Sequence, residues 1–159
     1  HEVIAMKIQW KKLIVSLLVP LAVGGLAAFL TRDGMERFSE VQKPPLSPPA
    51  WLFPIAWTAL YLLMGLAAYL VWVAQRPNAL PLGVYGLQLV FNFFWSLIFF
   101  NLQNNLFALI WLILLWVLIL VTTLLFRKSD ARAGFLMLSY LLWVTFAGYL
   151  NFGIWLLNR

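Results

Sequence analysis

The sequence predicts an all-α membrane protein: a single bundle of five transmembrane helices with a structured loop between the first two. Three observations carry this reading. Of 159 residues, 64% are hydrophobic, 17% aromatic and only 10% charged, with a mean hydropathy of +0.92; a soluble domain carries about 25% charged residues. Five stretches contain no Asp, Glu, Lys, Arg or His: 13–30, 51–73, 80–100, 106–126 and 133–157. None of them alternates in polarity as the strands of a membrane barrel do. A cytosolic enzyme and a sizeable soluble domain are excluded. The absence of Cys removes disulfides, thiolate nucleophiles and thiolate metal sites.

The elements follow in order. Residues 1–5 read as an expression-tag remnant ahead of Met6, so 6–159 form the single domain. The first stretch is too long for a removed signal peptide and lacks its small-residue cleavage pattern, so it counts as a span. The five stretches hold 18, 23, 21, 21 and 25 residues, which at roughly 1.5 Å per residue reach about 27 to 37 Å, enough to cross a hydrocarbon core. The connection at 31–50 holds three of the five acids and four of the eight prolines. Its part 33–41 is expected to form a short amphipathic helix with Met35, Phe38 and Val41 on one side; 43–49 is too rich in Pro to be helical. A long structured loop over a compact bundle is expected to act as a lid. The other connections, 74–79, 101–105 and 127–132, are short.

Five spans put the termini on opposite sides. Lys7, Lys11, Lys12, Arg76, Arg127, Lys128 and Arg132 fall on the N-terminal side, against Arg32, Arg37, Lys43 and Arg159 on the other. The positive-inside rule places the N terminus in the cytoplasm of what is expected to be a bacterial cell membrane. The formal net charge of +6 therefore sets topology rather than marking a nucleic-acid partner. Odd span number and the lack of a defensible internal repeat disfavour inverted-repeat transport.

With no ionisable side chain inside the spans, ion-coupled transport and acid-base catalysis lack their usual residues. The lone His is His1, so no metal site is expected. What the spans carry is amides, hydroxyls and indoles. Gln88, Asn92 and Trp95 share one face of the third helix; Trp143, Ala147, Leu150 and Asn151 share one face of the fifth; Phe53, Trp57 and Tyr61 share one face of the second. Turned inward, these stripes would line a flat-walled site for a planar apolar ligand. Read otherwise, the amides are only interhelical glue. Trp10, Trp51, Trp72 and Trp155 sit where interfacial anchors sit; Trp111 and Trp116 are free to face lipid. Gly24, Ala27, Ala28, Gly65 and Ala68 read as close-packing positions, and Gly83 and Gly86 would permit approach of a second subunit.

Several motifs, in order and spacing, resemble one family. The loop and second helix carry Lys43-Pro44-Pro45-Leu46-Ser47-Pro48-Pro49-Ala50-Trp51, Pro54-Ile55-Ala56-Trp57-Thr58-Ala59-Leu60-Tyr61 and Met64-Gly65; the third carries Tyr85-Gly86-Leu87-Gln88 and Asn92-Phe93-Phe94-Trp95; the fifth carries Tyr140-Leu141-Leu142-Trp143, Phe146-Ala147 and Leu150-Asn151. Together these resemble the TspO family, the tryptophan-rich sensory proteins whose mitochondrial members are called translocator protein or peripheral benzodiazepine receptor. The resemblance implies a homodimer and a pocket, capped by the first loop, for porphyrins, haem, sterols and isoquinoline carboxamides, with no covalently bound cofactor. It places Trp57, Asn92, Trp95, Trp143, Ala147, Leu150 and Asn151 in that pocket, with less specific matches at Ala27 and Phe53. Phe107 stands where animal members have a pocket Trp, Leu46 where the family often has an aromatic, and Phe152 where a proposed sterol motif needs Tyr.

Three functions are therefore expected to compete. One is binding of tetrapyrroles for sensing or transport. A second is light-dependent oxidative breakdown of protoporphyrin IX, for which Trp57 and Trp143 would be the electron donors. The third is a membrane scaffold acting through protein partners.

Overall fold

The computed structural model describes residues 7–74 and 79–159. Over these residues the chain forms α1 (Trp10–Leu30), α2 (Arg32–Phe38), α3 (Leu52–Trp72), α4 (Ala79–Ser96), α5 (Asn105–Ser129) and α6 (Ala131–Asn158). A π-helical turn, Leu97–Asn101, prolongs α4. Every element except α2 is long and apolar enough to cross a membrane. The connection at 75–78 lies outside the described residues, as do His1 and the supposed tag remnant 1–5.

Helical backbone is what apolar runs of this length must adopt in lipid, because only intrasegment hydrogen bonds satisfy every amide there. The five long helices close into a ring in which α1 packs on α3, α3 on α6, α6 on α5, α5 on α4, and α4 on α1. Met64, Leu115, Ile119, Phe126, Met137, Tyr140 and Val144 fill the interior. α1 is the outermost member, burying only Ser16, Pro20 and Ala27.

Close approach is set by glycine at two crossings. A Cβ on Gly65 would stand 2.6 Å from the Ser16 carbonyl oxygen of α1, and one on Gly24 would run into the Tyr61 ring. Ala27 and Ala68 are buried beside them, but Ala28 is exposed to lipid and takes no part. Gly83 and Gly86 face open space.

Two sequence expectations are corrected. Trp111 and Trp116 do not simply face lipid: both are half-buried and tie α5 to its neighbours, the Trp111 indole donating to the Phe91 carbonyl at 2.8 Å and the Trp116 indole to Thr145 Oγ1 at 2.8 Å. An indole N–H inside a bilayer finds a protein acceptor when one is in reach. The lid helix also turns a different side inward. Gly34 is buried, with Phe38 and Val41 packed on the core, while Met35 is 42% exposed. Gly34 lies against the backbone at Phe100, where a Cβ would be 2.5 Å from the carbonyl oxygen. The inner face is thus 34, 38 and 41, and Met35 sits a hundred degrees round from Gly34.

Beyond α2 the chain from Gln42 to Ala50 is non-helical. It is fastened to α6 at three places. Asn158 acts as a two-way clamp, accepting from the Gln42 amide at 3.1 Å and donating to the Gln42 carbonyl at 2.8 Å. Tyr149 donates its hydroxyl to the Pro45 carbonyl at 2.6 Å. Pro44 seats on Gly153, where a Cβ would stand 2.5 Å from its ring. Leu46, 84% exposed, adopts a positive φ of 70° at the tip.

Candidate functional site

The stripes read from the sequence converge on the space enclosed by α3, α4 and α6 beneath the lid. At its centre a chain of hydrogen bonds crosses the bundle. Tyr61 donates to Asn92 Oδ1 at 3.3 Å, Asn92 Nδ2 donates to the Tyr140 hydroxyl at 2.7 Å, and Tyr140 donates to Gln88 Oε1 at 2.7 Å. Asn92, Gln88 and Tyr140 are buried to 1% exposure or less. Every donor points the same way along the chain, an arrangement in which successive bonds polarise one another.

A second polar pair lies nearer the lid. The Trp95 indole donates to Asn151 Oδ1 at 3.2 Å, and Asn151 Nδ2 donates to the Asn105 carbonyl at 2.9 Å. Both asparagines therefore have their oxygen and their amide nitrogen committed to other parts of the bundle. They hold α3, α4, α5 and α6 together whatever else they contact.

Above the Tyr61–Asn92–Tyr140 centre runs a file of aromatic rings. Trp57 stacks on Tyr61 at 5.6 Å and meets Trp143 edge-to-face at 6.3 Å; Phe53 meets Trp143 at 6.2 Å. The file continues into the lid, where Phe38 lies 6.4 Å from Phe53 and 5.5 Å from Phe99, itself stacked on Trp95 at 5.1 Å. Phe38 is thus wedged between the two aromatic branches, and Lys43 Nζ sits 4.8 Å from its ring. Edge-to-face and stacked pairs of this kind are each worth about 0.5–1.5 kcal/mol beyond their buried area.

Three buried polar atoms have no hydrogen-bond partner among the described residues: the Trp143 indole nitrogen, Gln88 Nε2 and the Tyr85 hydroxyl. A buried donor left unpaired costs on the order of 1–3 kcal/mol. The Trp143 donor belongs to the aromatic file, on a side chain that is itself only half-buried.

Trp57, Asn92, Trp95, Trp143 and Asn151 are thus brought into one connected constellation, with Phe53 at its edge. Ala147 and Leu150 are buried on the same stripe of α6, and Ala27 is buried on α1. Phe107 is not part of it: 42% exposed at the start of α5, it meets only Trp111, at 6.1 Å, among aromatic rings. Two members escaped sequence reasoning. Tyr140 shares the α6 stripe, three residues before Trp143 and seven before Ala147, a signal that was there to use. Phe38 lies on the side of the lid helix that its periodicity predicts, but nothing in that periodicity marks it as part of the site.

Between the lid and the bundle lies a cavity of about 220 Å³, bounded by Gly34, Phe38, Val41, Phe99, Gln103 and Asn158 among others. Sites for drug-sized ligands run from about 300 to 1,000 Å³. A larger planar molecule therefore needs Phe38 and the lid to move aside. No group of three or more metal-ligating side chains occurs among the described residues.

Comparison with known proteins gives a consistent picture. A family model described as the TspO/MBR family matches residues 16–156. The tryptophan-rich protein TspO of Archaeoglobus fulgidus is 39% identical over 149 residues, covering 92% of this chain and 97% of that protein. The tryptophan-rich sensory protein of Cereibacter sphaeroides is 36% identical over 154 residues, covering 96% of this chain and 95% of its own length. The translocator protein of Bos taurus is 33% identical over 147 residues, covering 89% and 87% respectively.

Proposed function

The chain belongs to the TspO/MBR family, and from that premise we propose that this integral, multi-pass membrane protein binds a tetrapyrrole, protoporphyrin IX or haem, along the aromatic file beneath its lid, for sensing or transport. The observation that carries the reading is Trp143: its ring stands edge-on to Trp57 and Phe53 while its buried N–H is without a partner among the described residues. Flat walls and one free donor suit a planar apolar molecule with a polar rim. Asn92 and Asn151 then act by holding the walls in place rather than by offering free amides.

The test is quenching of tryptophan fluorescence by protoporphyrin IX in detergent, in the dark. Saturable quenching is expected, with affinity lowered about five- to tenfold in Trp143→Phe, the loss of one buried hydrogen bond. Quenching that never saturates, or that is untouched by that change, would sink the proposal. Metal-free porphyrin and haem are expected to bind alike, because no His lies among the described residues; a haem absorption spectrum with bis-His features would contradict this.

A second reading, light-dependent oxidation of bound protoporphyrin IX, draws support from the contiguity of Trp143, Trp57 and Tyr61, in which the Trp57 ring centre lies 6.3 Å from that of Trp143 and 5.6 Å from that of Tyr61. Under illumination Trp143→Phe would then spare binding of the porphyrin more than its breakdown. We infer that the N terminus lies in the cytoplasm, a reading supported by the seven-to-four distribution of Lys and Arg between the two ends.

A further inference from the structure

A second concavity lies at the opposite end of the bundle from the lid. It is a groove of about 560 Å³ between α3 and α6, with Leu66 and Leu70 on one wall and Ala131, Arg132, Phe135 and Leu136 on the other. Its walls are apolar and partly open, Phe135 being 75% exposed. At its rim stands Arg132, whose side chain is 61% exposed. Asp130 holds the guanidinium by Nε at 3.1 Å and Nη2 at 2.8 Å, which fixes its plane and leaves the Nη1 edge unused by that carboxylate. Arg127 and Lys128 lie just before them in the chain, in the last turn of α5. Asp130 is therefore a single acid against three cations in one short stretch.

We propose that this groove binds one acyl chain of an anionic phospholipid, with Arg132 holding the headgroup phosphate. The charge at the rim and the apolar walls below it match the two ends of such a lipid, and neither feature alone would select it. Basic pockets between membrane helices are suited to anionic headgroups, each cation being worth about a fivefold gain in affinity. A planar guanidinium meets phosphate through two parallel N–H bonds, which adds geometry to charge. The site is separate from the aromatic file and does not depend on what that file binds.

Native mass spectrometry of the detergent-solubilised protein, titrated with dioleoyl phosphatidylglycerol or dioleoyl phosphatidylcholine, tests it. The wild type is expected to retain phosphatidylglycerol about fivefold more tightly. Arg132→Gln should abolish the preference, while Arg132→Lys, which keeps the charge, and Lys43→Gln, at the lid end, should keep it. The Gln variant preserves the backbone contact of Arg132 with Asp130, so the helix start is not lost. Leu70→Trp, which fills the groove, should lower retention of both lipids. Equal retention of the two lipids by the wild type, or a preference undiminished in Arg132→Gln, would overturn the proposal. So would a change of oligomeric state in Leu70→Trp with lipid retention unaltered, which would give the groove to a second copy of the chain.

Discussion

Tyr140 is the one partner, among the described residues, of both Asn92 Nδ2 and Gln88 Oε1, so it decides how costly the polar centre is to disturb. Tyr140→Phe leaves Asn92 Nδ2 and Gln88 Oε1 both unpaired. Interhelical hydrogen bonds in membranes average only about 0.6 kcal/mol, because the separated helices also find partners in lipid. Here, however, two groups are stranded at once inside a packed core, and the expected loss is about 1–2 kcal/mol. Tyr85→Phe removes a hydroxyl that is buried without a partner among the described residues and is expected to be neutral or stabilising. Thermal unfolding in one detergent compares the two; equal losses would mean that an ordered water serves Tyr85. Spacing alone placed Gln88, Asn92 and Trp95 on one face and Asn151 with Trp143 on another, since a helix period fixes direction. It could not decide whether Asn92 and Asn151 bond to opposing helices, as they do, or present free amides to a ligand, because partners come from the opposing helix and its rotation.

Among the elements, the lid is the one built from small, separable contacts. Its inner face depends on Gly34 lying against the Phe100 backbone, and the π turn beside it, with Gln103 at a φ of 54° just beyond, shapes that seat. Neither feature has a sequence signature: a π turn has no composition of its own, and the periodicity that proposed Met35 ignores how closely a backbone can approach. The long helices, by contrast, were legible from uninterrupted apolar runs, and the prolines at 44, 45, 48 and 49 correctly marked the non-helical strap. Asn158→Ala removes both bonds to Gln42, each worth about 0.5–1.5 kcal/mol net. Exposure puts the pair at the low end, about 1 kcal/mol, or roughly a fivefold larger open population. Faster proteolytic cleavage within 39–50, and faster onset of porphyrin quenching, are expected; unchanged rates in both would mean that the Pro44 seat on Gly153 holds the lid by itself. At the other end Asp130 caps α6, accepting from the Arg132 amide at 2.9 Å. Asp130→Ala is expected to cost about 1 kcal/mol. The hydrogen bond from the Arg132 side chain holds the Asp130 carboxyl below the usual carboxylate range. Its contribution is therefore complete above that range and is lost as pH falls through the lowered value, so wild type and Asp130→Ala should converge in stability only in strong acid.

For the whole molecule, the distribution of charge and the closing of the ring bear on each other. The short α5–α6 connection puts Arg127, Lys128 and Arg132 at the end where α1 begins, beside Lys7, Lys11 and Lys12, while the lid end carries Asp33, Glu36 and Glu40 among its own cations. Acids count little in the positive-inside rule, so the deciding quantity is Lys and Arg near the helix ends, and the N-terminal side holds seven against four. One side must therefore host the basic groove and the other the lid and the mouth of the aromatic file. With the N terminus cytoplasmic, the file opens away from the cytoplasm and the groove faces the cytoplasmic leaflet. The chain contains no Cys, so single substitutions report cleanly. Lys7→Cys and Asn104→Cys lie at opposite ends of the bundle, and neither position belongs to the site or to the lid clamp. In intact cells a membrane-impermeant maleimide is expected to label Asn104→Cys and to reach Lys7→Cys only after permeabilisation. The reverse pattern would invert the molecule and place both the lid and the file's mouth in the cytoplasm. It would also move the groove to the outer face of the membrane, so the lipid proposal would then have to find its anionic headgroup in that leaflet.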